Sequence, residues 1–146
     1  MSADKTASVH WTGAGKDGKG EISTETGALN KAPYGFASRF GDDRKATNPE
    51  EILAAAHAAC FAMAFSFACA AEGIQTETVD TSAKVRLAKE GDGFKIDRIA
   101  LTLNAKVQGL SQEQFDKIAA GAKAGCPLSK ALASVPEITL TATLVK

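Results

Sequence analysis

The feature that most constrains the fold is the segment 52–71, which is apolar almost throughout. Apart from two cysteines, its only polar side chains are those of His57 and Ser66. Helix signals flank it, because Asn48 is a good capping residue followed directly by a proline, and Gly73 is a typical helix terminator. A helix that is apolar on every side has to be buried in protein or in lipid.

The length of this helix approaches the roughly 20 residues that cross a bilayer, so a membrane span has to be weighed. Much of the segment is alanine, however, and neither a cluster of Lys and Arg nor a belt of Trp and Tyr flanks it. We therefore predict a central core helix and no membrane partner. A small domain covers only one side of such a helix, so we expect a second subunit to cover the other side.

The rest of the chain has the patterns of strands and short helices. Strands are predicted at 7–12 and 21–26 as a hairpin, at 79–87 and 99–107 as an antiparallel pair, and at 138–144, with an irregular stretch over 30–47. A second helix begins after Ser111 and ends at Gly125, and a short third helix begins at Pro127. This order predicts one α+β domain over 1–146, with helices packed on one side of an antiparallel sheet.

Charge and cysteine content narrow the possible functions. The 17 basic and 17 acidic side chains cancel, so nothing directs the chain to nucleic acid or to an anionic membrane. The sequence begins without an apolar leader, which predicts a cytoplasmic protein whose thiols are kept reduced. Three cysteines leave at least one unpaired, which favours a reactive pair with one bystander, although three buried structural thiols are the simpler alternative.

The settings of the cysteines differ. Cys126 lies between Gly125 and Pro127 at the start of a short helix, where the partial positive charge favours a thiolate. Cys60 lies in the middle of the apolar helix, where burial raises a thiol pKa, so as a nucleophile it needs a cation from elsewhere. Cys69 is nine residues beyond Cys60, about 180° around the helix, and is predicted to pack in the core.

Two arginines are candidates for that cation, Arg39 and Arg44. A guanidinium stays protonated and offers several donors, so it can hold a thiolate and also bind a peroxide oxygen. In an apolar site it needs an acidic partner, which Glu50 or Glu51 at the start of the apolar helix can supply. These acids equally suit the first turn of a helix without any further role.

His57 offers a different reading, since it lies three residues before Cys60 on the same helical face. A Cys-His pair of this kind suits a thiol hydrolase, for which Cys126 is dispensable. The simpler interpretation is a buried histidine that hydrogen-bonds to a backbone carbonyl or to a partner chain. No Asn or Asp that would orient the imidazole is evident in the sequence, which favours this simpler interpretation.

Several separated motifs resemble one known family, the osmotically inducible OsmC branch of the OsmC/Ohr hydroperoxide peroxidases. The resemblance extends over essentially the whole chain. It is carried by segments 9–13, 18–20, 23–27, 33–36, 47–51, 54–61 and 123–127, which include Thr-Asn-Pro-Glu-Glu at 47–51, Ala-Ala-Ala-His-Ala-Ala-Cys-Phe at 54–61 and Lys-Ala-Gly-Cys-Pro at 123–127.

The resemblance implies an intertwined homodimer with two active sites at the subunit interface. By position, Cys60 becomes the thiol that attacks the peroxide and Cys126 the thiol that resolves the sulfenic acid as a disulfide. Arg39 corresponds to the family's activating arginine and Glu50 to the glutamate that holds it, with Glu51 a weaker member of the network. The charged loop 41–46 departs from the pattern, so the resemblance gives Arg44 no role.

The apolar residues expected near Cys60 are Phe61, Phe65, Ile52 and Phe36. They favour an organic hydroperoxide over hydrogen peroxide, and we expect Phe36 and Phe61 to bind the substrate. The family implies a dithiol reductant, such as dihydrolipoyl groups on lipoylated proteins. One histidine and distant thiols lack the paired spacing of metal ligands, and no dinucleotide motif is present, so we expect no metal and no bound cofactor. A non-enzymatic dimeric stress or ligand-binding protein is the remaining alternative.

Overall fold

Two three-stranded sheets make up the β-structure of the chain. The computed structural model describes all 146 residues, and they divide into two units, Met1–Ile52 and Leu53–Lys146. In chain order the elements are β1 (Ala7–Thr12), a 3-10 turn (Gly15–Asp17), β2 (Lys19–Thr24), β3 (Ala32–Gly35), α1 (Phe36–Phe40), α2 (Pro49–Ala71), β4 (Thr76–Glu90), β5 (Gly93–Val107), α3 (Gln112–Gly125), α4 (Pro127–Ala131) and β6 (Glu137–Val145). The α+β class predicted from the sequence is confirmed, whereas the single domain stays a prediction.

The first unit contains the predicted hairpin and one strand that the sequence analysis missed. β1 pairs antiparallel with β2, and β3 pairs antiparallel with the other side of β2. The second hairpin strand lies at 19–24 instead of 21–26, and the stretch expected to be irregular contains β3 and α1. Pro33 and Gly35 are residue types that are rare in strands, so the sequence does not predict β3. A proline is tolerated there because β3 is an edge strand.

Helix α2 begins and ends where its sequence signals predict. The Asn48 Oδ1 accepts a hydrogen bond from the Glu51 backbone N–H at 2.8 Å, which caps the first turn. Gly73 has a φ of 74°, and the following Ile74 N–H donates to the Cys69 carbonyl at 2.9 Å. This left-handed glycine with a returning hydrogen bond is the usual end of a helix and satisfies its last carbonyls.

One side of α2 is buried and another is exposed. The buried side chains recur every fourth residue and are His57, Phe61, Phe65 and Cys69. Met63 is 59% exposed and Phe67 is 66% exposed, so the single chain leaves an apolar face uncovered. By length and composition α2 is able to cross a membrane, a test that the core helix of a soluble protein also passes.

The second unit holds the main core. β4 and β5 form the predicted antiparallel pair, but β6 runs parallel to β5, so this sheet is mixed and the purely antiparallel prediction is wrong for its last strand. A parallel neighbour is possible because α3 and α4 return the chain to the starting end of β5. Phe65 of α2 packs edge-to-face against Phe115 of α3, with 5.6 Å between ring centroids, within a core that also includes the inward side chains of β5.

Candidate functional site

Cys60 and Cys126 meet in the second unit. Their sulfur atoms lie 3.0 Å apart and share a hydrogen bond, and both cysteines are free thiols. Cys126 is fully buried and Cys60 is partly buried against the core. The structure therefore brings together two thiols that are 66 positions apart in the sequence, as a two-cysteine redox site requires.

Local structure explains the placement of each thiol. Cys60 is held by the rigid middle of α2, on the helix that also carries the core residues Phe61 and Phe65. Cys126 ends α3 and serves as the N-cap residue of α4, with Pro127 in the first turn, as the sequence predicts. A helix on one side and a helix junction on the other thus fix the two sulfur atoms.

The two thiols have opposite electrostatic settings. Burial raises the pKa of Cys60, and its hydrogen bond to Cys126 raises it further, while the Leu128 N–H acts in the opposite direction. Burial also acts to raise the pKa of Cys126, but its interactions with Cys60, with Ser129 and with the Leu128 backbone outweigh burial and lower that pKa. The negative charge of the pair is therefore more stable on Cys126, in agreement with its helix-junction position.

His57 does not pair with Cys60. Its side chain is fully buried, and its Nε2 lies 2.8 Å from Ser129 Oγ. The predicted burial is correct, but the partner is a side-chain hydroxyl and not a carbonyl or a second chain. Burial lowers the pKa of His57, which keeps the imidazole neutral. This geometry gives no support to the hydrolase interpretation, in which the imidazole has to face the Cys60 sulfur.

Arg39 and Glu50 form an ion pair in the first unit. The Arg39 Nη2 donates to Glu50 Oε1 at 2.7 Å, and Nε lies 3.2 Å from both carboxylate oxygens. The Arg39 side chain is 38% exposed and that of Glu50 only 11%. The hydrogen bond from Arg39 to Glu50 raises the arginine pKa, so the guanidinium stays charged. The acidic partner predicted for Arg39 is thus present.

The remaining predicted residues take different positions. The Glu51 carboxylate accepts a hydrogen bond from the Thr47 hydroxyl at 2.8 Å, and Arg44 lines an open cavity of about 310 Å³ in the first unit. Phe36 is 40% exposed and stacks near Phe40, whereas Phe61 is fully buried. Phe61 therefore shapes the apolar surroundings of Cys60 in this conformation and presents no surface to a ligand.

The third cysteine, Cys69, is fully buried in the core, as predicted. Ser129 is a functional candidate that the sequence analysis missed. It lies three residues after the capping Cys126, the spacing at which an N-cap side chain meets the first turn of its helix, and that spacing was the available signal.

Comparison with known proteins agrees with this geometry. Residues 41–141 match the family model described as OsmC-like protein. The chain is 48% identical over 140 residues to peroxiredoxin OsmC of Escherichia coli (strain K12), which covers 96% of each chain. It is 35% identical over 136 residues to the organic hydroperoxide resistance protein OhrA of Bacillus subtilis (strain 168), covering 92% of this chain and 93% of that one.

Solved structures show the same fold. An organic hydroperoxide resistance protein OsmC from Legionella pneumophila superposes with a TM-score of 0.75 at 29% identity, covering 97% of this chain and 98% of that chain. An organic hydroperoxide resistance protein from Elizabethkingia anophelis gives a TM-score of 0.76 at 26% identity, covering 99% of this chain and 100% of that chain. The likeness therefore extends over nearly the full length of each structure.

Proposed function

Because the chain belongs to the OsmC-like protein family, we propose that it is a cysteine-based peroxidase that reduces organic hydroperoxides to alcohols in oxidative and osmotic stress defence. Its relatives bear the names peroxiredoxin and organic hydroperoxide resistance protein, which indicate this chemistry. The observation that carries the proposal is the 3.0 Å separation of the Cys60 and Cys126 sulfur atoms. A two-cysteine cycle needs a pair of free thiols at this range.

In the first step the Cys60 sulfur attacks one oxygen of the hydroperoxide. The S–O bond forms, the O–O bond breaks, and the alkoxide takes one proton and leaves as an alcohol. Cys60 is then a sulfenic acid. In the second step the Cys126 thiolate attacks the Cys60 sulfur, the S–O bond breaks, and the hydroxide takes a proton and leaves as water. The product is a Cys60–Cys126 disulfide.

Arg39 is proposed to stabilise the Cys60 thiolate and the developing charge on the peroxide. Support comes from the need for such a cation, because burial raises the pKa of Cys60. Glu50 holds the guanidinium through two of its nitrogen atoms, which limits the directions that the remaining donors face. Both assignments come from the positions that these residues share with the family, and they require no bound metal or cofactor.

The cycle closes when a dithiol reduces the disulfide. Exchange proceeds with the sulfur that has the lower pKa as the better leaving group, which is Cys126 in this chain. The reductant therefore attacks Cys60 and displaces the Cys126 thiolate. We propose a dihydrolipoyl protein or a related dithiol as reductant and the cytoplasm as the compartment, since thiols are kept reduced there.

We further propose that the functional unit is a homodimer. The face of α2 that includes Met63 and Phe67 is apolar and exposed in the single chain, although the opposite face of the same helix is buried. Covering that face with a second copy removes this apolar surface from water. Sedimentation analysis of wild type and Phe67→Glu tests the assignment. A dimer is expected for wild type and a monomer for the variant, and a monomeric wild type contradicts it.

The peroxidase proposal is tested by turnover of cumene hydroperoxide with dihydrolipoamide, for wild type, Cys60→Ser and Cys126→Ser. We expect both variants to lose turnover, with Cys60→Ser unreactive and Cys126→Ser consuming one equivalent of peroxide. Hydrogen peroxide should be a poorer substrate than cumene hydroperoxide, because Cys60 packs against an apolar core that includes Phe61. Absence of peroxide consumption by wild type contradicts the assignment, and equal efficiency with both peroxides contradicts the substrate preference.

A further inference from the structure

His57 is a buried polar side chain that the two-thiol cycle leaves without a role. Its Nε2 lies 2.8 Å from Ser129 Oγ, whereas its Nδ1 is buried and has no hydrogen-bond partner. A buried N–H without an acceptor is costlier and rarer than a buried acceptor without a donor. The proton of the neutral imidazole therefore belongs on Nε2, and Nδ1 carries only a lone pair.

This tautomer sets the direction of the hydrogen bonds. Nε2–H donates to Ser129 Oγ, so the hydroxyl hydrogen of Ser129 remains free to donate to another acceptor. Ser129 is the third residue of α4, the helix whose N-cap is Cys126, so the Cys126 sulfur is the acceptor that we infer for this hydroxyl. An interaction with Ser129 also acts to lower the pKa of Cys126. Ser129 thus connects His57, which it contacts directly, to the helix start that carries Cys126.

We propose that His57 is a positioning residue for disulfide formation, which orients the Ser129 hydroxyl toward Cys126 and so holds that sulfur as the thiolate that attacks the Cys60 sulfenic acid. The inference rests on the proposed peroxidase cycle and deepens its second step. His57 neither accepts nor releases a proton in this step. The Cys126 thiolate forms the S–S bond, and the hydroxide that leaves Cys60 takes its proton from solvent.

The effect of His57 is selective for the second step. Its hydrogen-bond chain ends at Cys126, and Cys60 takes part only through the proton that the two sulfur atoms share. Weakening the hydrogen bonds from His57 to Ser129 and from Ser129 to Cys126 moves negative charge from Cys126 toward Cys60. Disulfide formation therefore slows, whereas attack on the peroxide stays as fast or becomes faster. General damage to the site would slow both steps.

The two steps are separated by rapid mixing of the reduced protein with one equivalent of cumene hydroperoxide. Peroxide loss reports the attack, and trapping of the Cys60 sulfenic acid with dimedone against time reports disulfide formation. The variants are His57→Phe, His57→Gln and Ser129→Ala. Ser66→Ala is the matched control, because it removes a hydrogen bond of the same helix, 3.3 Å from Ser66 Oγ to Thr76 Oγ1, away from the thiols.

We expect His57→Phe and Ser129→Ala to slow disulfide formation about tenfold or more, the effect of losing a hydrogen bond to a charged group, with no loss in the attack rate. His57→Gln should restore most of the rate, because its side-chain N–H replaces the Nε2 donor. Ser66→Ala should change neither step.

Two results overturn the inference. One is an unchanged rate of disulfide formation in Ser129→Ala, a variant that keeps the imidazole and the core intact. The other is a His57→Gln variant as slow as His57→Phe, which would show that the imidazole transfers a proton and does not only position Ser129. Failure of the peroxidase proposal itself is seen separately, as a wild-type protein that forms neither sulfenic acid nor disulfide.

Discussion

The two polar constellations of this chain are built in opposite ways. In the first unit Arg39 and Glu50 carry full charges, and the arginine is more than one third exposed. In the second unit His57 and Ser129 share one hydrogen bond and the Cys60 and Cys126 thiols share another, and only Cys60 of these four residues is not fully enclosed by the core. Water and salt screen the first constellation, whereas the second has no water to replace a missing partner.

Because of this difference, we expect the two groups of residues to contribute differently to the stability of the fold. The Arg39–Glu50 pair is in contact with water through its arginine, so we expect it to contribute modestly to folding and propose that its main role is in the reaction. Breaking a buried hydrogen bond is more costly, because the group left behind has no water to replace its partner. The thiol site is therefore part of the core, and its geometry depends on the packing around it.

The largest expected effect tests the dependence on packing. Phe65→Ala should reduce the free energy of unfolding by about 3–5 kcal/mol, because it leaves a cavity against Phe115 in the second unit. The control is Phe36→Ala in the first unit, where the same side chain is 40% exposed, and about 1 kcal/mol or less is expected. Urea denaturation measures both. Equal losses would remove the distinction between the two regions.

The next effect tests the proposed chemical role of the Arg39–Glu50 pair. Arg39→Ala should lower the rate of attack on cumene hydroperoxide about 100-fold, since it removes the cation that we propose stabilises the Cys60 thiolate. Arg39→Lys should recover only part of the rate, because an ammonium lacks the planar set of donors. Single-turnover kinetics measure the attack directly. A rate for Arg39→Ala within twofold of wild type would contradict the assigned role.

A smaller effect concerns the pH dependence of stability. Burial lowers the pKa of His57 in the folded state, so below its ordinary value of 6.5 the unfolded chain binds a proton that the folded chain excludes. Stability from this source is complete at neutral pH and is lost as the pH falls. Between pH 7.5 and 5.5 wild type should therefore lose more stability than His57→Gln does. Parallel pH profiles in denaturant titrations would contradict a buried neutral imidazole.

The smallest effect concerns the stability of the ion pair. Glu50→Gln should change the free energy of unfolding by only about 0.5 kcal/mol, and this difference should shrink in 1 M salt. The same variant should slow the attack on peroxide by less than Arg39→Ala does, because the guanidinium remains. Urea denaturation at two salt concentrations, with kinetics on the same samples, makes the comparison. A large loss of stability would place the pair among the buried interactions.

Local signals in the sequence predicted much of this architecture. Asn48 and Gly73 bound α2 correctly, and Ser111 with Gln114 marks the start of α3, because capping depends on neighbouring residues alone. The parallel pairing of β6 could not be predicted in this way. Strand direction depends on how α3 and α4 return the chain, which is a property of tertiary packing.

The residues of the candidate site likewise include some that the sequence predicts and some that depend on tertiary packing. The Cys60–Cys126 pair and the Arg39–Glu50 pair were predicted with help from the family resemblance, and the structure shows the partners of each in contact. Ser129 was missed because its importance depends on His57, which lies 72 positions away in the sequence. Burial of His57 followed from its place in an apolar helix, but the identity of its partner did not.

The central claim is that Cys60 and Cys126 are the two thiols that a peroxide oxidises. Peptide mapping by mass spectrometry after addition of one equivalent of cumene hydroperoxide to the reduced protein tests it most directly. We predict a disulfide between Cys60 and Cys126, with Cys69 left as a thiol in the core. Three unmodified thiols, or a disulfide that includes Cys69, would contradict the claim.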